Sequence, residues 1–118
     1  MNSPKPSPNA EPHETLSAKL GVDVYGLAGM KHAGYAHPEH RSVTLREGLC
    51  RQLERPRASR QTANALFVLA HELGHVLVPT NDELRADDYA VTHFRPLALR
   101  LGLSQRQAAR LWRLCPYR

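Results

Sequence analysis

Two histidines and a glutamate lie close together in the middle of an apolar segment of the sequence. They are His71, Glu72 and His75, in the order His-Glu-x-x-His. If the segment is helical, the two histidines lie one turn apart on the same face, and both imidazoles can reach one ion. Neutral imidazoles suit zinc, and the adjacent carboxylate can take a proton from water at the open coordination position. The spacing predicts a hydrolytic zinc site with Glu72 as general base.

A third ligand is needed, because a catalytic zinc ion has three protein ligands and one open position. Continuation of the motif by a glycine and a third histidine fails, since Val78 and Asn81 occupy those positions. The best candidate is Glu83, and Asp87 lies one turn further on, where it can accept a hydrogen bond from the second ring nitrogen of a histidine. The residues that remain alternatives to Glu83 as ligand are Asp82, Asp87 and Asp88.

The residues that carry this chemistry are predicted to lie on two consecutive helices. Apolar residues recur at three-and-four spacing from about residue 59 onward, and Pro79 ends this first helix. The next helix starts beside Thr80 or Asn81, either of which can act as N-cap. The short connection "VLVPTND" can turn the second helix back antiparallel to the first and bring its acids to the histidines.

The first half of the chain is predicted to form a small sheet flanked by helices. The pattern predicts helices at residues 13–20, ended by Gly21, and at 48–54, and strands at 22–25, 33–36 and 42–45. The last two strands are joined by the turn "HPEH", whose histidines, with His32, are expected to face solvent. Together the elements predict an α+β, helix-dominated domain with a small, largely antiparallel sheet before the HExxH helix.

The last part of the chain, residues 95–118, is basic. Pro96 is predicted to open a short helix that Gly102 closes, and Ser104 with Gln107 has the spacing of a capping box for a last helix. We expect this segment to form a helical hairpin that packs on the core and exposes a solvated basic surface. The alternative is that the basic surface binds an acidic partner or DNA, because the order of helix, turn and helix resembles a helix-turn-helix. No Asp or Glu follows Asp88, and six arginines do: Arg95, Arg100, Arg106, Arg110, Arg113 and Arg118.

Length and composition favour one small domain. The chain has 118 residues and a net charge of +5, which suits a single core. Residues 1–12 are proline-rich without apolar periodicity and predict a disordered leader. There is no signal-peptide pattern and no apolar run long enough to cross a bilayer, so a cytoplasmic protein is expected. Cys50 and Cys115 have no metal-binding spacing and are predicted to be reduced thiols in or near the core.

The motifs together resemble a known enzyme family. "AHELGH" followed by "ELRADDYA", after a helix, a small sheet ending in "SVTL" and a second short helix, resembles the small gluzincin-type zinc metallopeptidases, particularly the ImmA/IrrE group. The resemblance covers residues 16–94 and implies a minimal zincin-like core over 13–94. It implies His71, His75 and Glu83 as zinc ligands, Glu72 as catalytic base, and Asp87 as the residue matching the family's Asn or Asp. The seven residues between His75 and Glu83 are fewer than in that family.

The resemblance also implies a function. It predicts a soluble zinc peptidase that cleaves a protein or peptide substrate, such as a repressor, held in a cleft between the strand at 42–45 and the HExxH helix by strand addition. The alternative is a non-enzymatic, zinc-stabilised regulatory or nucleic-acid-binding module that uses the arginine-rich C-terminal helices. The residues that remain open as donors to the oxyanion are Tyr35, His37, His40, Tyr89 and His93.

Overall fold

Five helices and four short strands form the part of the chain that the computed structural model describes, residues 5–78 and 80–117. They confirm the predicted helix-dominated α+β class. Residues 1–4 of the predicted leader, Pro79 and Arg118 lie outside the described residues. In chain order the elements are β1 (Glu11–Pro12), α1 (Glu14–Leu20), β2 (Asp23–Leu27), β3 (Gly34–His37), a 3-10 turn (Pro38–His40), β4 (Ser42–Arg46), α2 (Glu47–Glu54), α3 (Arg60–Leu77), α4 (Glu83–Arg100) and α5 (Gln105–Leu114).

The four strands form one sheet in the order β1-β2-β4-β3. β4 runs parallel to β2 and antiparallel to β3, and β1 is antiparallel to β2, so the sheet is largely antiparallel as predicted. The prediction of an exposed edge at residues 42–45 was wrong, because β4 is an interior strand. Arg41, at φ 47°, reverses the chain after the 3-10 turn so that β4 passes between β2 and β3. The exposed edge near the HExxH helix is therefore β3.

The structured chain begins earlier than the sequence pattern predicts. Glu11 and Pro12, placed in a disordered leader by their composition, pair with Tyr25 and Gly26 of β2. Proline lacks an N–H to donate, so a sheet accepts it most readily in an edge strand, and β1 is such a strand.

Helix α3 crosses one face of the sheet and forms the centre of the core. Its start is set by Ser59, whose side chain accepts a hydrogen bond from the backbone N–H of Thr62, as an N-cap does. Its buried leucines pack with the inward-facing residues of the sheet. The fully buried side chains of α3 and of the strand β4 beneath it include Leu66, Leu69, Leu73, Val43 and Leu45. This packing holds the HExxH motif rigidly beside the sheet.

Helix α4 continues through Pro96, where a new helix was predicted to start. Pro96 lies on the exposed side of α4, so the carbonyl of Thr92 that loses its N–H partner can bond to water. Phe94 and Leu97 are buried on the opposite side, and their packing maintains the helix. The predicted hairpin of two short helices is therefore formed by the end of α4 and by α5.

Gly102 ends α4 as predicted. At φ 96° it allows the N–H of Leu103 to reach the carbonyl of Ala98, and its own N–H to reach Leu99, which is a Schellman motif. Helix α5 then starts with the predicted capping box of Ser104 and Gln107.

Both thiols are buried, as the sequence predicts. Cys50 is 0% exposed and Cys115 is 4% exposed. Burial raises the pKa of Cys50 to about 12, with smaller contributions from the charges of Glu47 and Glu54. A thiol with such a pKa is an unreactive core residue. Among the described residues, none of the helices is long and apolar enough to span a membrane.

A partly buried ion-pair cluster joins the start of α1 to α2. Both ring nitrogens of His13 contact carboxylates, Nε2 at 3.1 Å from Glu47 and Nδ1 beside Glu54. A side chain at Gly26 would lie 2.6 Å from Nε2 of His13, so the cluster requires glycine there. Burial lowers the pKa of His13, but the hydrogen bonds and charges of Glu54 and Glu47 outweigh it, and the net pKa lies above the ordinary 6.5.

The cluster predicts a stability that depends on pH. A raised folded-state pKa contributes stability that is fully present below about pH 6.5 and is lost as the pH rises through the folded-state value. At pH 6 the wild-type protein should be more stable than His13→Gln by about 1 kcal/mol, and the difference should shrink toward pH 9. Urea unfolding across this range measures the difference. The control is His40→Gln, at an exposed histidine of the 3-10 turn; an equal pH dependence there would contradict the assignment.

Candidate metal centre

The candidate site depends on the close packing of α4 against α3. Gly74, between the two histidines of the motif, faces Ala86 and Tyr89 of α4. A Cβ at position 74 would lie 3.1 Å from the Cα and the carbonyl oxygen of Ala86 and 3.0 Å from the Cβ of Tyr89. The two small residues therefore bring the helix backbones together. Helix α4 starts at Glu83, so this contact places its first turns beside the histidines.

The structure brings His71, His75 and Glu83 together at their side-chain tips. The Nε2 atoms of the two histidines lie 3.3 Å apart. One carboxylate oxygen of Glu83 lies 2.7 Å from Nε2 of His71, and the other lies 3.1 Å from Nε2 of His75. Two ligands held tetrahedrally by one ion at about 2.05 Å are about 3.3 Å apart. The spacing of the imidazoles is that of two ligands of a single ion.

Each histidine is oriented by an acceptor on its other ring nitrogen. Nδ1 of His71 donates to the carboxylate of Asp87, and Nδ1 of His75 donates to the backbone carbonyl of Thr80, both at 2.7 Å. A carboxylate and a carbonyl oxygen can only accept, so each ring carries a proton on Nδ1. Each ring therefore turns its Nε2 atom toward the carboxylate of Glu83. A metal ion bound at this point would be held by two imidazole nitrogens and one carboxylate.

Glu72 lies next to this set and points along the cleft toward the edge strand. Its side chain is 8% exposed, and a Cβ at Gly34, the first residue of β3, would lie 3.0 Å from its carboxylate. One ligand atom from each of His71, Glu72 and His75 lies within 4.8 Å of the others, and this group could hold a metal ion. Burial raises the pKa of Glu72; the neighbouring histidines oppose this, and the charge of Glu83 adds to it.

Glu83 and Glu72 are both close to the histidines, and their contacts differ. The carboxylate of Glu83 contacts both Nε2 atoms directly and has a side chain that is 72% exposed. Glu72 is buried and approaches the edge strand instead. We therefore take Glu83 as the third ligand candidate, and Glu72 as the carboxylate beside the ligands.

The two remaining acids that the sequence left open have other positions. The side chain of Asp82 accepts a hydrogen bond from the N–H of Leu84 at 2.9 Å, which makes Asp82 the N-cap of α4 in place of the predicted Thr80 or Asn81. Asp88 is exposed, one residue beyond Asp87. Since neither contacts the histidines in any described interaction, Asp88 is suited to serve as a control position.

A cleft of about 910 Å³ opens over the candidate site, between the edge strand β3 and helices α3 and α4. Its lining includes four carboxylates and, among the described residues, no Lys or Arg, although the chain as a whole is basic. The cleft also contains aromatic and apolar side chains. The lining residues used below are Gly34, Tyr35, Phe67, Val68, Glu83 and Tyr117.

Of the three histidines expected to face solvent at and before the "HPEH" turn, His32 and His40 are exposed and His37 is not. His37 is 3% exposed and its Nε2 lies 2.7 Å from the hydroxyl of Thr44, so it does not face solvent. His32 is exposed, packs edge-on against Tyr35 and lines the cleft. The sequence does not predict that His32 lines the cleft, because an isolated loop histidine carries no periodic signal.

Of the five residues left open as oxyanion donors, Tyr35 lines the cleft. Its side chain is 44% exposed on the edge strand. Tyr89 and His93 stack on each other along α4, with ring centroids 4.0 Å apart. Tyr89 and Trp112 both pack against the core, and Trp112 contacts Phe94.

Comparisons of the chain with known protein families, with curated proteins and with solved structures found no match. The likeness to gluzincin-type peptidases thus rests on the motif residues and their arrangement. The features described above, in particular the convergence of His71, His75 and Glu83, are therefore the basis for any functional conclusion.

The helix contact at Gly74 can be tested by adding one methyl group. In Gly74→Ala the new Cβ meets backbone atoms of Ala86, which cannot rotate away, so α4 must shift. We expect a loss of about 1–3 kcal/mol in the free energy of unfolding, together with weaker metal binding because Glu83 moves with α4. Urea unfolding and zinc titration measure the two effects.

The matched control is Gly48→Ala in helix α2. A Cβ at Gly48 has nothing within 4 Å, so alanine should stabilise that helix by up to about 1 kcal/mol. Metal binding should not change. Equal behaviour of the two variants would show that the α3–α4 contact does not position the site.

Proposed function

We propose that the protein is a zinc-dependent peptidase. The observation that carries the proposal is the convergence of three potential ligand groups, from His71, His75 and Glu83, with each imidazole oriented by an acceptor on its Nδ1. Imidazole nitrogens and a carboxylate are a donor set that suits zinc, and two histidines with one glutamate form the ligand set of several zinc hydrolases. The likeness to gluzincin-type peptidases of the ImmA/IrrE group supports the same function.

The side chains around the ligands have separate roles in this proposal. When bound, zinc would polarise the scissile carbonyl and lower the pKa of a coordinated water. Glu72 accepts the proton of the attacking water and transfers it to the leaving amine. Asp87 and the carbonyl of Thr80 hold the imidazoles in one tautomer and orientation. Tyr35, on the edge strand, lines the cleft and is the candidate donor of a hydrogen bond to the developing oxyanion.

The edge strand β3 indicates that the substrate is an extended peptide. β3 pairs with β4 along one side, and its other side borders the cleft. An extended peptide can add to such an edge through backbone hydrogen bonds, which bring its carbonyl groups past the site. Gly34, the first residue of this strand, leaves room for the carboxylate of Glu72 beside the edge. A flexible segment of a regulatory protein, such as a repressor, is a substrate of this kind.

The test is a cleavage assay that depends on zinc. Protein stripped by a chelator and protein reloaded with one equivalent of zinc are each incubated with a library of peptides derived from digested cell proteins. We expect new termini in the reloaded sample only, and zinc at one ion per chain by mass spectrometry. Equal peptide profiles with and without zinc would refute the peptidase.

The basic face of α5 favours a second candidate function, binding of nucleic acid by a non-enzymatic module. Arg106, Arg110 and Arg113 recur at helical spacing and are exposed, while Ala108 and Leu111 are buried on the opposite face. Such a stripe of cations predicts DNA binding that weakens steeply with salt. Under this alternative, Glu72→Gln leaves function intact; under the peptidase proposal it does not.

A further inference from the structure

The last residues of the chain return to the cleft and place an aromatic ring there. Tyr117 stacks on Phe67 of α3, with ring centroids 4.7 Å apart and planes inclined by 25°. Both residues line the cleft. Phe67 is 7% exposed, whereas Tyr117 is 56% exposed. Tyr117 thus covers Phe67 and leaves most of its own surface open to bind something else.

The chain segment before Tyr117 is anchored, so this position is determined by packing. Helix α5 ends at Leu114, and Cys115, which is 4% exposed, follows in the core. The N–H of Cys115 donates to the carbonyl of Trp112. Only one residue, Pro116, therefore separates Tyr117 from an anchored residue of the core.

The distance from Phe67 to the histidines of the motif is close to the spacing of side chains in an extended peptide. Phe67 precedes His71 by four residues on α3, which is about 6 Å along the helix axis. In an extended peptide, side chains on the same side are about 6.6 Å apart. A peptide that adds to β3 and runs along α3, with its scissile bond at the histidines, therefore brings a side chain within two residues of that bond over the aromatic pair.

The lining of the cleft selects the chemistry of that side chain. Val68, beside Phe67, adds an apolar surface, and an aromatic ring stacks favourably on an exposed aromatic face. The carboxylates of the cleft, including Glu83 and Asp87, disfavour an acidic side chain at the neighbouring positions.

We propose that Phe67 and Tyr117 form a specificity subsite that binds a large apolar or aromatic side chain of the substrate, within two residues of the scissile bond. The inference rests on the proposed peptidase function for its position relative to the scissile bond. The binding preference itself can be measured without cleavage.

The first experiment measures binding alone. Full-length Glu72→Gln protein, incubated with zinc and immobilised, is presented with capped octapeptides of random sequence, and the retained peptides are sequenced. The same is done with Glu72→Gln/Tyr117→Ala and with Glu72→Gln/Tyr117→Phe, which keeps the ring. Tyr117 is exposed and close to the chain end, so neither substitution removes a core side chain.

We expect retained peptides to be enriched in Phe, Tyr, Trp, Leu and Met at one position. The enrichment should fall about tenfold with Tyr117→Ala and persist with Tyr117→Phe. An absence of enrichment, or the same enrichment in the Tyr117→Ala protein, overturns the subsite.

The second experiment separates this inference from the peptidase function. The retained peptides are incubated with the zinc-loaded wild-type protein. Cleavage within two residues of the enriched side chain supports the inference in full. Cleavage elsewhere overturns the proposed position of the subsite relative to the scissile bond. If the peptides bind through Tyr117 and stay intact, the subsite is retained as a binding site and the peptidase function is refuted.

Discussion

Replacing Glu72 with glutamine should reduce peptide cleavage by a factor of about 10³ and leave zinc bound. The amide has nearly the same shape as the carboxylate, but it cannot accept a proton from the attacking water, and general-base catalysis contributes about 10² to 10⁴ to such rates. Because His71, His75 and Glu83 provide the contacts of the candidate ligand set, the zinc content should stay at one ion per chain. Single-turnover cleavage and zinc analysis of the same preparations measure the two quantities.

The position of Glu72 in the fold makes this variant a fair test. Its side chain is 8% exposed, and burial raises the pKa of its carboxyl. A neutral amide costs less to bury than an ionised carboxylate, so the free energy of unfolding should not decrease. A loss of cleavage would then report chemistry and not unfolding. Wild-type cleavage rates in Glu72→Gln would rule out Glu72 as the base.

Three acidic residues at the start of α4 should differ widely in their effect on zinc affinity. Glu83→Gln should weaken binding by more than about 100-fold, because it replaces a candidate ligand by a poor one. Asp87→Asn should weaken binding by about 10- to 100-fold, which is the usual effect of a residue that orients a ligating histidine. Asp88→Asn should have no effect, since Asp88 is exposed and serves as the matched control. Competition with a fluorescent chelator measures all three.

The order of these effects is diagnostic because the three residues lie on the same turn and a half of helix. A general change in charge near the site would affect the three variants similarly. Glu83 contacts both Nε2 atoms, and Asp87 contacts Nδ1 of His71. If Asp88→Asn removed zinc and Glu83→Gln did not, the assignment of Glu83 as third ligand would be wrong. Asp88, one of the alternatives that the sequence leaves open, would then be the ligand.

The sequence alone was informative wherever the signal is local. The HExxH spacing predicted that His71 and His75 share one helix face, Gly21 and Gly102 were read as helix ends, and Ser104 with Gln107 as a capping box. Each of these features depends on residues within about one helical turn, where backbone hydrogen bonding leaves few alternatives. The helix-dominated α+β class followed from the same patterns.

Local signals were misleading where packing opposed them. Pro96 has the strongest local tendency to interrupt a helix, yet burial of Phe94 and Leu97 keeps α4 continuous, since the lost hydrogen bond is on the solvent side. Glu11 and Pro12 have the composition of a disordered segment, yet β2 offers them an edge to pair with. In both cases contacts distant in sequence outweighed the intrinsic preference.

By itself the sequence determined which residues can do chemistry: His71, Glu72 and His75 at helical spacing, with acids to follow. The tertiary structure decided how they are used. The contact of Gly74 with Ala86 brings Glu83 beside the Nε2 atoms of both histidines, and the loop before α4 brings the carbonyl of Thr80 to Nδ1 of His75. Strand order exposes β3 to the cleft, and the chain end brings Tyr117 there. Such choices depend on long-range packing, which no local spacing of residues encodes.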